Sequence, residues 1–223
     1  RQALPWNVWS SHDDRMSLTP QTFPLEPALP YNQALRERLQ TGDILLCSGS
    51  GVFSDLIQQA TDSPWSHVAL IVRLDAIDRI LLFESVETFG VRTVPLSRYL
   101  TDYEQGRPYP GGLVVVRHRT FARVSSAHQI QRMLQFAVDH FGNAYNHLQI
   151  VRIAARILGS SLQAPLSHGK DASLKAFICS EYVAACFEQA GIALAASDRG
   201  YVTPADFADP RLMDLIAVLQ APA

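Results

Sequence analysis

The chain has 223 residues, of which 48% are apolar and 18% are charged, and its formal net charge is −2. This composition is typical of one compact domain with a substantial core, and it excludes a disordered, collagen-like or coiled-coil chain. The near-neutral charge gives no reason to expect a nucleic-acid partner.

The N-terminal region differs in composition from the rest of the chain. Five of the thirteen prolines lie in the first thirty residues, where no hydrophobic period is present. Proline removes a backbone donor and disfavours helix at the residue before it, so we interpret residues 1–37 as an extended arm or linker. Trp6 and Trp9 are the side chains that could attach this arm to the body of the protein, residues 38–223.

The first half of the body is predicted to consist mainly of strands. A short helix is expected at 31–39, and a second helix follows the Ser/Gly loop at 48–51. Short apolar or alternating segments bounded by turn residues predict the strands, which we place at 44–47, 67–72, 80–86, 90–94 and 113–117.

The second half is predicted to be helical. From residue 124 apolar side chains recur at intervals of three or four residues, which predicts a helix. Ser125 or Ser126 is its expected N-cap, and Gly142 is expected to end it. Further helices are expected at 148–158 and 179–190, separated by a loop at 160–173, and a capped turn at 203–206 precedes a last short element. Strands first and helices second favour an α+β domain with a mainly antiparallel sheet packed against helices.

The three cysteines, Cys47, Cys179 and Cys186, are too few for a disulfide framework and lack the spacing of a zinc site. Cys179 lies at the predicted start of a helix, where the helix dipole and the backbone N–H groups favour a thiolate. A buried core cysteine is the alternative interpretation of Cys179. For Cys47 and Cys186 the core interpretation is preferred.

One histidine and one glutamate are placed to assist such a thiol. His67 begins an apolar strand, and Glu84 lies within an apolar run on the next strand, where a buried carboxylate needs a partner. Neighbouring strands could place Glu84 against the far nitrogen of His67, with Glu87 as the second choice. A strand-end histidine of structural role and a solvent-facing glutamate are the alternatives.

Other catalytic motifs are not found in the sequence. The remaining histidines form no H-E-x-x-H pattern, no G-x-S-x-G elbow is present, and Ser48-Gly49-Ser50-Gly51 lacks the Gly-Lys-Ser/Thr ending of a phosphate loop. The sequence therefore predicts neither a metal nor a cofactor.

Several motifs follow one another in an informative order: Gly42-Asp43, Ser66-His67-Val68-Ala69, Phe83-Glu84, Cys179-Ser180-Glu181-Tyr182-Val183. This order resembles that of the circularly permuted NlpC/p60 cysteine hydrolases, the YiiX/YebB-like group with a papain-like fold, in which the histidine strand precedes the cysteine helix. The stretch 141–146 resembles the family's glycine-x-x-tyrosine-aspartate segment, although Asn146 replaces the aspartate, and 203–206 resembles its threonine-proline turn. The likeness covers about residues 38–218.

The resemblance implies a cysteine hydrolase that works through a thioester. Cys179 would be the nucleophile, His67 the acid and base, and Glu84 the third member of the triad. The backbone N–H of Cys179 is the expected oxyanion donor, and Tyr145 and Asn143 are the candidates for a second one.

The substrate is left open between two classes. Amide or peptide bonds, as in peptidoglycan-type peptides, are the first choice, and lipid acyl hydrolysis or transfer is the alternative. The alternative is suggested by the apolar helix at 148–158, whose Arg152 and Arg156 could face a membrane surface, although an ordinary core helix explains the same pattern. An inactive binding module is a third interpretation, and no protein partner is predicted.

The compartment is not predicted. The sequence has no signal-peptide pattern and no apolar run that could span a membrane. Because the chain starts at Arg1, removal of a leader or of an upstream domain is an expectation. The resemblance implies a bacterial protein, either exported or part of a longer one.

Overall fold

The structure is a computed structural model that describes residues 27–124, 126–157, 176–194 and 200–221. Trp6 and Trp9 of the expected arm lie outside these residues, and so does the loop expected at 160–173. The division of the chain into an arm and a body stays a prediction.

The described residues alternate between helices and strands without a strict β-α repeat. In chain order they form α1 (Gln33–Arg38), β1 (Asp43–Ser48), α2 (Val52–Thr61), β2 (His67–Leu74), β3 (Arg79–Val86), β4 (Gly90–Pro95), α3 (Leu96–Thr101), β5 (Gly112–His118), α4 (Phe121–Val124), α5 (Ala127–Asp139), β6 (Ala144–Tyr145), α6 (His147–Ile157), β7 (Ala176–Phe177), α7 (Cys179–Gln189) and β8 (Met213–Gln220). Short 3-10 turns lie at Asp75–Ile77 and Pro204–Ala208.

Six strands form one antiparallel sheet in the order β4-β3-β2-β1-β5-β8. The central strand β1 is buried on both faces, which explains its unbroken apolar run from Ile44 to Cys47. The two-residue strands β6 and β7 pair in parallel beside this sheet. The expected α+β fold with a mainly antiparallel sheet is confirmed.

Side-chain alternation along the strands produces a hydrophobic cluster on each face of the sheet. One face carries Ile44, Val68 and Leu70 and is covered by α5 and α7. The other carries Leu45, Ala69 and Leu82 and packs against α1 and α3. Helices thus bury both faces, and the strand ends remain as the place where groups from the two sides can meet.

The predicted caps of two helical elements are present. Ser126 accepts a hydrogen bond from the backbone N–H of Gln129, whose side chain bonds back to the Ser126 N–H, so Ser126 rather than Ser125 begins α5. Thr203 and Asp206 form the same reciprocal arrangement at the 3-10 turn. Gly191 ends α7 with a φ of 81°, a left-handed conformation that favours glycine.

Several elements differ from the prediction. Helix α3 has only six residues, too few for a hydrophobic period to be visible. The last element, for which no type is predicted, is the strand β8, which pairs with β5 at the edge of the sheet. Within the described residues, no helix has the length and apolar character needed to cross a membrane.

Candidate active site

The candidate site forms at the end of the sheet where three elements meet. His67 is the first residue of β2, and Cys179 is the first residue of α7. Glu84 follows Phe83, the partner of Leu70 in the β2–β3 ladder, and therefore lies diagonally across from His67 on the same face. The antiparallel register thus brings together two side chains that are seventeen positions apart in the sequence.

Glu84 is a fully buried carboxylate whose two oxygens are both hydrogen-bonded. Its Oε2 lies 2.9 Å from His67 Nε2 and 2.6 Å from the Tyr99 hydroxyl, which donates to it, while Arg92 Nε donates to Oε1 at 2.9 Å. Burial raises the pKa of Glu84, but the hydrogen bond and charge of His67, the charge of Arg92 and the Tyr99 hydrogen bond outweigh it. The pKa of Glu84 is therefore lowered.

His67 contacts Cys179 as well as Glu84. Its Nε2 is occupied by Glu84, which leaves Nδ1 for the hydrogen bond with the Cys179 sulfur. Burial lowers the pKa of His67, but the hydrogen bonds to Cys179 and Glu84 and the negative charges of both groups raise it to about 10. The imidazole is therefore protonated at neutral pH, and an imidazolium beside a sulfur is the arrangement found in thiol enzymes.

The start of α7 is held in place by a partly buried glutamate. The Glu181 carboxylate accepts the backbone N–H of Ile178, the N-cap residue, and also accepts Gln149 Nε2 from α6 at 2.7 Å. Burial raises the pKa of Glu181, and these two hydrogen bonds oppose the rise. The same turn is fixed by the Ser180 hydroxyl, which donates to the Val202 carbonyl at 2.6 Å. These contacts determine the position of Cys179.

The two candidates for the second oxyanion donor lie on the segment before α6. Tyr145 is in β6, opposite Phe177 of β7, and burial followed by the negative charge of Cys179 raises its pKa. The Asn143 carbonyl accepts the N–H of Val91 at 2.9 Å, so this residue anchors β4 through its backbone. Their roles in catalysis stay predictions.

An apolar pocket lies beside Cys179. It lies between α2, α6, the start of α7 and the segment 202–204, and its lining residues are Ile57, Ala60, Thr61, Ile150, Ile153, Ala154, Ile178, Cys179, Ser180, Val202, Thr203 and Pro204. The side chains are mostly aliphatic, and the thiol is on the wall. An apolar group of a substrate could be held here while its carbonyl faces the sulfur.

Helix α6 is amphipathic and closes one side of this pocket. Ile150, Ile153 and Ala154 are buried, whereas Leu148 is 67% exposed and Val151 is 48% exposed. The helix therefore contributes to the core, as expected of an ordinary core helix. It also places apolar side chains at the surface. The side chain of Arg156 lies outside the described part of the chain.

The other residues considered from the sequence do not belong to the series Cys179–His67–Glu84. Glu87 is half exposed and lies 3.9 Å from His147, so Glu84 and not Glu87 contacts His67. Cys47 and Cys186 are fully buried, and burial is the first cause that raises the pKa of each thiol. The prediction that both are core cysteines is confirmed.

Some residues of the site were missed from the sequence. Arg92 could have been found, because the β3–β4 hairpin pairs Val86 with Gly90 and so places Arg92 directly opposite Glu84. Tyr99 comes from α3, which has no visible signal. The pocket results from the packing of α2 against α6, a tertiary contact that no local pattern indicates.

The fold and the site together define a papain-like cysteine hydrolase in which the histidine and acid strands precede the cysteine helix. The comparison with protein families agrees. Residues 38–210 match the family described as permuted papain-like amidase enzyme, YaeF/YiiX, C92 family. The chain belongs to this family and is a cysteine hydrolase. The expected permuted papain-like family is confirmed.

The structure is also similar to a solved one, a crystal structure described as the metalloprotein YiiX from Escherichia coli O157:H7. The TM-score is 0.57 at 21% identity, over 81% of this chain and 98% of that one, which shows a shared fold. No curated protein matches the chain. Within the part of the chain that the structure describes, no group of three His, Cys, Asp or Glu side chains could hold a metal ion.

Proposed function

We propose that the protein is a cysteine amidase in which Cys179 is the nucleophile, His67 the general acid and base, and Glu84 the residue that orients the imidazole. The observation that carries this proposal is the hydrogen-bonded series from Cys179 through His67 to Glu84 at the wall of an apolar pocket. Its support is geometric: each member contacts the next, and Cys179, although only 2% exposed, is one of the residues that line the pocket.

The reaction would proceed in two halves. The Cys179 thiolate attacks the amide carbonyl, and the tetrahedral intermediate collapses to a thioester as the His67 imidazolium gives its proton to the leaving amine. The neutral imidazole then takes a proton from water, which attacks the thioester and releases the acid. Glu84 keeps Nε2 of His67 fixed throughout, so that Nδ1 stays directed at the sulfur.

The developing oxyanion would be stabilised at the N-terminus of α7. The first N–H groups of a helix have no acceptor within the helix, and the dipole favours negative charge at this end. The backbone N–H of Cys179 is the nearest such donor, because Cys179 is the first helical residue. Tyr145 is the preferred candidate for a second donor, since it pairs with Phe177 of β7, two residues before the start of α7.

The pocket supports a substrate with an apolar acyl part. Its aliphatic side chains would leave the polar groups of a sugar or a charged residue without hydrogen bonds, which disfavours such groups. A peptidoglycan-type or other peptide with an apolar side chain before the scissile amide satisfies this condition. The leaving amine would then lie on the side of His67.

A second candidate is lipid acyl hydrolysis or transfer by the same three residues. Two observations favour it: the aliphatic lining of the pocket, and the exposure of Leu148 and Val151 on the helix that borders it. An amphipathic helix with exposed apolar side chains can lie in a membrane interface, so residues 148–158 would be the segment in contact with lipid.

The decisive experiment presents both substrate classes to the same protein. Purified muropeptides and, separately, vesicles of a zwitterionic phospholipid are incubated with wild type, Cys179→Ala and Cys186→Ala. Release of a new amine from muropeptides supports the amidase, and release of fatty acid from vesicles supports the second candidate. Either activity should be lost in Cys179→Ala and kept in Cys186→Ala, which removes a core thiol of the same helix.

Full activity in Cys179→Ala would end both proposals. The absence of any turnover, together with a Cys179 that does not react with thiol reagents near neutral pH, would favour an inactive binding module.

A further inference from the structure

The acid of the triad has more partners than its histidine alone. Each oxygen of Glu84 accepts a hydrogen bond from a residue outside the series Cys179–His67–Glu84. Arg92 comes from β4, directly opposite Glu84 in the ladder, and Tyr99 comes from α3. A carboxylate with one donor can rotate about its terminal torsion, whereas one with donors on both oxygens has a fixed plane.

We propose that Arg92 and Tyr99 are positioning residues for the reaction: they hold Glu84 ionised and with Oε2 directed at His67. This inference rests on the proposed function, since it assigns to both residues an effect on His67 and Cys179 through Glu84. Neither Arg92 nor Tyr99 is among the residues that line the pocket.

Tyr99 is suited to a permanent donor role. Its side chain is 1% exposed, and its ring stacks on Tyr109 with centroids 5.2 Å apart and meets Tyr103 edge-on at 4.8 Å. Burial, followed by the charge of Glu84, raises its pKa well above the ordinary value, so the hydroxyl keeps its proton. The packed aromatic rings fix the direction from which this proton is donated to Oε2.

Arg92 supplies the fixed charge. Its Nε donates to Oε1 at 2.9 Å, and the guanidinium lies over the ring of Phe89 at 4.7 Å. The planar guanidinium provides this charge together with a donor of fixed direction. With Arg92 on one oxygen and Tyr99 on the other, Glu84 stays a carboxylate in a fully buried position.

Other ionisable groups face Glu84 and must be considered when its titration is read. His67 approaches from β2 and Cys47 from β1, Tyr103 and Tyr109 lie beyond Tyr99, and Cys179 lies at the start of α7. The tyrosines and Cys47 have raised pKa values and stay neutral in the acid range. Acid titration of Glu84 therefore reports mainly on His67, Arg92 and Tyr99.

The test measures Glu84 directly and its effect on Cys179 separately. The carboxyl carbon of Glu84 is followed by NMR from pH 2 to 8, with Glu84→Gln used to assign the signal. The rate of alkylation of Cys179 by iodoacetamide is followed by peptide mass spectrometry over the same range and up to pH 11. The variants are Arg92→Gln, Arg92→Lys and Tyr99→Phe, with Arg98→Gln on the exposed side of α3 and Tyr103→Phe in the aromatic cluster as matched controls.

In wild type the titration midpoint of Glu84 lies below the ordinary pKa of a glutamate side chain. We expect Arg92→Gln to raise this midpoint by about one pH unit, because a cation is lost from the carboxylate. In Arg92→Lys the titration midpoint of Glu84 should stay close to the wild-type value, because the charge is kept. The alkylation of Cys179 should still be slower than in wild type, because the fixed geometry is lost. Tyr99→Phe should raise the midpoint less and slow alkylation by about tenfold, as loss of a hydrogen bond to a charged group does. Both controls should behave as wild type.

A purely structural role predicts a different result. The variants would lower the unfolding temperature while the Glu84 midpoint and the pH profile of Cys179 alkylation stayed as in wild type, and that outcome overturns the inference. If wild-type Cys179 reacts no faster than Cys186, the proposed function fails instead, and the Glu84 titration still decides whether Arg92 and Tyr99 control this carboxylate.

Discussion

The candidate site has two sides that are built differently. On the side of the sheet, His67, Glu84, Arg92 and Tyr99 are joined by hydrogen bonds between 2.6 and 2.9 Å long, and each contact depends on particular atoms. On the side of α2 and α6, the pocket is enclosed by aliphatic side chains whose contacts are not directional. Cys179 belongs to both sides, because it hydrogen-bonds to His67 and lies on the pocket wall.

This difference separates the chemistry from the choice of substrate. A buried polar network loses much of its effect when one partner is removed, because the remaining groups are left unsatisfied. An aliphatic lining tolerates changes of similar volume at a cost below about 1.5 kcal/mol. Substitutions on the polar side should therefore reduce turnover for every substrate, whereas substitutions in the pocket should change which substrate is preferred.

The largest effect on the polar side is expected for Glu84→Gln. The amide keeps the size of the carboxylate but loses its charge, so it no longer stabilises the imidazolium of His67. We expect kcat to fall by about a hundred- to ten-thousandfold, as for the acid of a serine triad. Steady-state kinetics on the substrate class that the wild type turns over measures this loss. Glu87→Gln is the matched control, and an equal loss in that variant would contradict the contacts described here.

The next effect concerns pH. Since the pKa of His67 is raised to about 10, the imidazolium persists through neutral pH and is lost as pH rises through that value. Activity that needs this proton should therefore fall on the alkaline side near pH 10. In Glu84→Gln one of the causes of the raised pKa is gone, so the alkaline fall should move to lower pH.

The same shift has a consequence for folding. A raised folded-state pKa stabilises the protein fully below the unfolded value of 6.5, and this stabilisation is lost progressively up to about 10. The free energy of unfolding, measured by chemical denaturation at several pH values, should therefore decrease between these two pH values in wild type. The slope of this decrease should be smaller in His67→Gln. Equal slopes in the two proteins would contradict the pairing of His67.

The smallest effect is expected in the pocket. Ile153→Ala removes aliphatic volume from the wall, which should raise KM for a substrate with an apolar acyl part by about tenfold, corresponding to a few buried methylene groups. The value of kcat should change much less, because the polar side is intact. Val138→Ala, at an exposed position of α5 away from the lining residues of the pocket, is the control. The variant must be assayed well below its unfolding temperature, because such a change costs about 2–5 kcal/mol of stability.

The sequence predicted the polar side better than the apolar side, for physical reasons. Strand alternation and antiparallel neighbours indicated that Glu84 could lie near His67. The start of a helix made Cys179 a candidate, and the resemblance to a family then selected it. Arg92 follows from the same hairpin register. Tyr99 does not, because α3 is only six residues long.

The pocket depends on contacts between distant elements. Ile57 of α2 and Ile153 of α6 are ordinary apolar residues at helical spacing, and nothing in their local sequence indicates that they face each other beside a thiol. The buried pair Gln149 and Glu181 was missed for the same reason. Tertiary packing, rather than propensity, decides where such residues lie.

The most direct test of the central claim compares the three cysteines in one experiment. Wild type and His67→Gln are treated with iodoacetamide at pH 7, and the alkylation of Cys47, Cys179 and Cys186 is followed over time by peptide mass spectrometry. We predict that Cys179 reacts fastest in wild type, that the two buried core thiols are protected, and that only Cys179 slows in His67→Gln. Alkylation of Cys179 at the same rate in both proteins, or no faster than Cys186, would contradict the account.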